Sequence, residues 1–226
     1  MLESFDFTPF ILSFKLAFIV TIILFLLCLP LSWYLSQTSS KFKPFLETIT
    51  ALPIVLPPSV LGFYILWALS QNSPIGAFFQ DYFDTSLVFN FKGLVIASCL
   101  YSLPFMVQPL QSGFESLDAR MLEASYISGK SRFETLLRVA LPNIKPALLT
   151  SIIVTFAHTV GEFGVVLMVG GSIPNETKVA SVAIYEMVET MDYKNAHIYS
   201  AFMLGISFSV LFSVYLFNKK HRVGLR

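Results

Sequence analysis

Glu162 is an acid set inside a long apolar run, and His158 stands four residues before it, one helical turn away on the same face. A carboxylate in such a run must face protein, water or a base, or else take up a proton. Two groups of this kind do not by themselves make a metal site, and none is expected. What they suggest is structural: a His158–Glu162 hydrogen bond, and a Glu162 carboxylate bonded to backbone amides freed around Gly161 and Gly164. Gly129-Lys130-Ser131 resembles the end of a phosphate-binding loop, but G-x-x-x-x-G-K-[ST] requires glycine where Ala124 stands, and no strand precedes it. Nucleotide binding by this chain is therefore rejected. A membrane-embedded enzyme would need a nucleophile paired with a base, or metal ligands gathered at one depth, and no such set is visible.

The elements that hold these residues follow from composition. Of 226 residues, 55% are hydrophobic and only 13% charged, and the mean hydropathy is +0.70. This is the composition of an integral membrane protein with no room for a second soluble domain. The net charge of +1 carries no message about nucleic acid, which is not an expected partner. Cys28 and Cys99 both lie in apolar runs, so a disulfide framework is not expected. Charge-free windows predict an all-α polytopic fold with spans at about 10–35, 46–69, 92–111, 146–169 and 197–217. Span one is expected to stay in the mature protein, because its flank is acidic and its apolar stretch is too long for a cleaved signal.

Prolines punctuate two of these spans. Pro53, Pro57 and Pro58 fall in span two, Pro104 and Pro109 in span three. Kinked packing and a pathway-lining role are both open for them, and a hinge is expected at Pro53 to Pro58. In span four, Glu162 lies roughly 24 Å along from Pro146, well toward one face of the membrane.

Basic residues set the orientation. Lys41, Lys43, Arg120, Lys130, Arg132, Arg138, Lys145, Lys219, Lys220, Arg222 and Arg226 put eleven of the fifteen bases on one side. The other side carries Lys92, Lys178 and Lys194 with eight acids, from Glu3 and Asp6 to Asp192. The positive-inside rule then predicts an outside N-terminus and a cytoplasmic C-terminus. Lys15 is expected to snorkel rather than to be buried.

Residues 123–142 form a long polar amphipathic segment between these oily runs. Ala119 to Ile127 suits a short helix stopped at Gly129, and Ser131 with Glu134 forms a capping box that starts another. Phe133, Leu136, Leu137 and Ala140 fall on one face of the second helix. The segment is expected to dock a soluble partner, with a hairpin lying on the lipid surface as the alternative. Ile184, Met187, Val188 and Met191 recur at helical spacing in the outer segment, predicting a surface helix that receives a partner, caps the bundle, or does both.

Glu123-Ala124-Ser125, Gly129 six residues after the glutamate, and Val139-Ala140-Leu141-Pro142 together resemble the EAA loop of type I ABC importer permeases: E-A-A, three residues, G, nine residues, I, one residue, L-P. The spacing matches throughout; Ser125 replaces an alanine and Val139 an isoleucine. Gly161-Glu162-Phe163-Gly164, followed by the run from Gly170 to Thr177, resembles the molybdate permeases and, less closely, those for sulfate and thiosulfate. The likeness runs over residues 10 to 217. Some relatives carry an extra N-terminal helix that is absent here.

The resemblance implies a type I transmembrane domain over residues 10–217, containing a cytoplasmic EAA loop at 112–145 and followed by a cytoplasmic tail at 218–226. It implies a bacterial inner-membrane homodimer with an ABC ATPase subunit and an outside oxyanion-binding protein. The chain itself would hold no cofactor, ATP and magnesium belonging to the partner. Glu123, Ala124, Ser125, Gly129, Val139, Leu141 and Pro142 would form the ATPase-coupling loop. His158, Gly161, Glu162, Phe163 and Gly164 are expected near the pathway or gate, with a dimer-interface pair as the alternative for Glu162. A carboxylate is a poor ligand for an oxyanion, so Glu162 is not expected to bind molybdate or tungstate. An ion-coupled secondary transporter with a Glu162–His158 proton relay is the other class considered. It would show inverted repeats and several intramembrane charges, and the sequence shows neither.

Overall fold

The computed structural model describes residues 5–222, with side chains described through residue 212. Glu3 and Arg226, used above for orientation, lie outside the described residues. All regular structure among the described residues is helical.

The first long helix, α1 (Thr8–Gln37), starts where Asp6 accepts the Thr8 amide at 2.9 Å and Pro9 fills the first turn. Leu12, Leu16, Val20, Leu24 and Cys28 recur every fourth residue, and all are buried; Phe18, Ile22 and Leu26 on other faces are exposed. Because the helix is apolar all round, its inward face is chosen by packing rather than by polarity. Lys15 is exposed and lies over the Phe91 ring at 4.8 Å, as snorkelling requires. The partner of α1 is α5 (Phe91–Glu115), which begins at an Asn90 cap on the Gly93 amide and contributes Leu94, Met106, Val107 and Leu110 to the same core.

Span two differs from the single helix expected. It consists of α2 (Lys43–Val55) and α3 (Pro58–Leu69), whose axes meet at 113°. The cause is local: Leu56, preceding a proline, is pushed to ψ 136, and Pro57 is extended with ψ 136 and has no amide to donate. Pro53 remains inside α2, as Pro30 does in α1 and Pro104 and Pro109 in α5. The break therefore belongs to the pair Pro57-Pro58. After α4 (Pro74–Phe83) the chain enters α5.

Span four is also divided. Beyond α5, α6 (Ala119–Ile127), α7 (Arg132–Thr135), a π-helix (Leu136–Ala140) and α8 (Leu141–Asn143) lead into α9 (Lys145–Val160). The segment Arg132–Asn143 makes an 82° angle with α9. The expected span to residue 169 stops at Val160, and α10 (Gly164–Gly170) resumes after a three-residue interruption. Then follow α11 (Ala180–Glu189) and α12 (Tyr193–Arg222). The predicted tail at 218–226 is thus partly helix, and its last residues, 223–226, fall outside the description. Among the described residues, three helices are long and apolar enough to cross a membrane unaided, and up to five crossings result when each bent pair counts as one.

Polar clamps sit at the two ends of the bundle. At one, Lys43 donates to Glu115 at 3.1 Å, and Gln111 donates to Glu47 at 2.5 Å and to Glu115 at 3.0 Å, joining α2 to α5. At the other, the Ala180 amide donates to Ser13, and the Tyr199 hydroxyl to the Asp6 carbonyl, at 2.9 and 2.8 Å. Of the apolar stripe expected on α11, Ile184 and Met187 pack with Phe10, Ala183 and Tyr199, while Val188 and Met191 are exposed. Met191 lies past the end of the helix, with φ +60.

Without a hydrophobic driving force inside lipid, helices associate through close packing at small residues. Gly113 is such a point, since a Cβ there would lie 2.5 Å from the Ala147 Cβ across the α5–α9 seam. Gly113→Val is expected to destabilise the detergent-solubilised protein by roughly 2 kcal/mol. An unfolding midpoint equal to that of the native chain would show that this seam does not carry the packing.

Candidate functional site

Two sites emerge, one at membrane depth and one at the bundle end. The first is where the two broken spans meet. Gly164, at the start of α10, faces Pro58 at the start of α3 so closely that a Cβ on it would be 2.9 Å from the Pro58 Cβ. One turn along, a Cβ on Gly62 would lie 3.0 Å from the Met168 Cβ, so α3 and α10 approach through glycine on both sides. Beside this crossing is a cavity of about 500 Å³ lined by Pro58, Tyr101, His158, Gly161, Glu162 and Phe163, among others. The structure therefore brings one of the three expected hinge prolines, Pro58, together with the whole of the expected gate group, whereas Pro53 and Pro57 do not line the cavity.

Within it, two expectations are corrected. His158 does not bond to Glu162: its Nδ1 is 3.0 Å from the Ser102 hydroxyl, which also meets Thr159 at 2.9 Å, and its ring stacks on Phe105 with centroids 3.9 Å apart. The interruption after Val160 explains this, because the four-residue register that would pair the two side chains ends before Glu162 is reached. Nor do freed amides hold the carboxylate. Glu162 is 3% exposed, and neither of its carboxylate oxygens has a hydrogen-bond partner among the described residues. The Ser98 hydroxyl of α5 is a neighbour that falls short of hydrogen-bond geometry, and Cys99 and Tyr101 of the same helix also feel the charge of Glu162, with no lysine or arginine among them. What is held is the backbone: the Ser181 hydroxyl of α11 donates to the Glu162 carbonyl at 2.6 Å. A buried carboxyl without a counter-charge fits a group that moves between environments better than one that fixes an anion.

The second site is the polar segment. Asp118 caps α6 by accepting the Arg120 amide at 2.9 Å, and Gly129 ends the turn with φ +79, a conformation with open space around it that suits glycine. Ser131 and Glu134 form both bonds of the capping box. Ser125 is buried, and its hydroxyl lies 2.9 Å from that of Thr135, joining α6 to α7. The expected apolar face is only half realised. Leu136 and Ala140 are buried with Phe114 and Ile144, but Phe133 is 67% and Leu137 46% exposed. The π-helix supplies the reason: its wider turn keeps Leu136 and Ala140 on the inner side and rotates Leu137 away.

Glu123, Ala124 and Pro142 are exposed, Leu141 packs on the inner cluster, and the Val139 carbonyl accepts from Asn143 at 2.7 Å. Ile127, 87% exposed, projects from the end of α6. Sequence reasoning missed Ser98, Ser102 and Thr159, since a hydroxyl in an apolar run leaves no pattern. It also missed the Lys43–Glu47–Gln111–Glu115 clamp, whose only signal was polar residues at two span ends.

Comparison with known proteins fits this geometry. A family profile described as "Binding-protein-dependent transport system inner membrane component" matches residues 28–223. The molybdenum transport system permease protein ModB of Azotobacter vinelandii is 42% identical over 224 residues, covering 99% of each chain. The putative molybdenum transport system permease protein YvgM of Bacillus subtilis is 33% identical, with 92% of each chain covered. Among solved structures, the MetNI methionine ABC transporter in an inward-facing form superposes with a TM-score of 0.72 at 15% identity, over 96% of this chain and 95% of that one, a likeness of fold.

The capping box makes the polar segment sensitive to acid. The Ser131 backbone amide, and then its hydroxyl, bond to Glu134 and hold its carboxyl below the ordinary glutamate value of 4.5. Because the folded value is depressed, this stabilisation is complete above pH 4.5 and is lost as pH falls through the lower folded value. Amide exchange at residues 131–135 is expected to quicken in that acid window, and Ser131→Ala to quicken it already at neutral pH. Hydrogen–deuterium exchange that is the same in the variant would count against the cap.

Proposed function

This chain belongs to the family of binding-protein-dependent transport system inner membrane components, and on that premise we propose that it is the membrane-spanning permease subunit of an ATP-driven importer for molybdate. The observation that carries the reading is 42% identity over nearly the whole chain to a molybdenum permease. In the proposed assembly, two copies enclose the pathway, an ABC ATPase subunit binds on the cytoplasmic side and an oxyanion-binding protein delivers substrate outside. The transmembrane domain covers residues 10–217, with the EAA loop at 112–145 inside it.

Residues 123–142 supply the coupling surface. Their exposed side presents Glu123, Ile127 and Phe133, while Leu136, Ala140 and the adjoining Ile144 anchor the segment to α5 through Phe114. A rigid knob on a packed base transmits a push better than a loose loop, and the Ser125–Thr135 bond and the capping box supply that rigidity. The 82° turn at Ile144 then passes displacement into α9, whose far end is the break at Gly161 to Phe163. Pro57 and Pro58 form the opposing hinge. Glu162 acts at this gate rather than as an oxyanion ligand, since like charges repel and affinity resides in the binding protein.

The orientation proposed places the Lys43–Glu115 clamp in the cytoplasm and the Ser13–Ala180 contact outside, as the distribution of bases requires. Catalysis is no part of this chain's role, ATP and magnesium being bound by the partner.

Cells lacking this chain are expected to lose molybdate uptake and to regain it with the native gene, with tungstate competing and sulfate not. Uptake lost for sulfate alone would overturn the substrate. In the same assay Gly129→Pro, which forces φ away from +79, is expected to leave ATPase activity in the assembled complex while abolishing uptake. Coupled transport in that variant would show that the segment is not the coupling element.

A further inference from the structure

A cleft of about 820 Å³ lies between the end of α1 and the α6–α7 segment. Trp33, Tyr34 and Gln37 form one wall; Tyr126, Lys130 and Arg132 contribute to the other. No acidic side chain lines it. Lys130 and Arg132 form no salt bridge among the described residues, whereas Lys43, Arg138 and Lys178 each do. Glu134, the nearest acid in sequence, is engaged first by the Ser131 cap, then by Arg138 at 3.9 Å, and only more weakly by Lys130.

The position narrows what the cleft can hold. It lies where the apolar α1 stops at Gln37, and the Pro30 to Tyr34 turns on its wall mark the level of a membrane surface, with indole and phenol at the boundary. Above it, Leu26 and Leu27 are 65% and 64% exposed, an apolar track leading up the same helix. Thr38 and Ser39 add hydroxyls at the mouth. Two cations outside any salt bridge among the described residues, with polar donors below an apolar track, match a phosphodiester that carries acyl chains.

We infer that this cleft binds the headgroup of an anionic phospholipid, with Lys130 and Arg132 on its phosphate and Trp33 and Tyr34 beside its glycerol. The inference rests on the membrane reading of α1 and on the orientation proposed above, but not on molybdate being the substrate. The bound lipid bridges a spanning helix and the proposed coupling segment, so the membrane becomes part of the surface on which that segment is seated.

The test uses Trp33 as its reporter. The chain has two tryptophans, so Trp67→Phe leaves Trp33 alone. The full chain is reconstituted in vesicles of phosphatidylcholine containing a minor share of brominated phosphatidylglycerol or of brominated phosphatidylcholine. Brominated phosphatidylglycerol is expected to quench Trp33 preferentially. Removing both charges with Lys130→Gln and Arg132→Gln is expected to lower that preference by on the order of thirtyfold, at about one charge contact each. Lys130→Arg with Arg132→Lys, which keeps both charges, should retain it, as should Arg120→Gln, at a base that does not line the cleft.

Equal quenching by the two lipids, or a preference unchanged in the doubly neutral variant, overturns the proposal. So does loss of the preference on adding the ATPase subunit, which would give the cleft to an acidic protein segment. Displacement by soluble glycerol phosphate would give it to a free phosphate instead. Uptake assayed in parallel separates these outcomes from a wrong substrate, since quenching reads binding whatever is transported.

Discussion

Inside a bilayer every backbone amide and carbonyl must find its partner within the protein, and this constraint governs where the chain can be interrupted. The two interruptions, after Val55 and after Val160, are not scattered. They are packed against one another through Pro58 and Gly164, and α3 and α10 continue the contact through Gly62 and Met168. The Glu162 carbonyl, left without a helical partner, is taken by Ser181. Breaks that would each be costly against lipid become tolerable where they meet, and beside their meeting lies a cavity onto which Tyr101, His158 and Glu162 open. Around that cavity the rest is conventional: α1 and α5 form the core, and the clamps at the two ends fix its height.

The same junction explains why Glu162 stands apart from the other acids. Among the described acids, Glu47, Glu115, Glu134 and Glu186 each sit beside a lysine or arginine, and Asp118 and Glu134 serve in helix caps. Glu162 is buried against Ser98, Cys99 and Tyr101 without a cation. Its neighbour His158 is fully engaged elsewhere, held by Ser102 and by aromatic rings on two sides. That separates the two groups and removes the basis for a proton relay between them, leaving the secondary-transporter reading without its pair.

Much of the architecture could be read from the chain because its signals are local. Charge-free windows located the outer limits of the helical stretches to within about five residues, though not the breaks inside two of them, and Gly129 and the Ser131–Glu134 box located the turn of the polar segment, since a left-handed residue and a reciprocal cap depend on neighbours only. The breaks were harder. Four other prolines, Pro30, Pro53, Pro104 and Pro109, sit inside unbroken helix, so proline alone does not say where a span divides. Its doubling at Pro57-Pro58, which restricts Leu56 as well, is the distinguishing feature. The Ser102–His158 and Ser125–Thr135 bonds were illegible for another reason: each joins residues whose partnership is set by tertiary packing, and a serine in either context has no periodic signature. Leu137 was misplaced because a π turn alters the angular step that helical spacing assumes.

The Ser181 hydroxyl has one more consequence. It ties the carbonyl at the span-four interruption to α11, and α11 is in turn fastened to the first helix through Ala180 and Ser13. A load applied at this end of the bundle is therefore shared between α11, the first helix and the broken span, and the Ser181 joint delivers it to the backbone of the very residue that carries the buried acid.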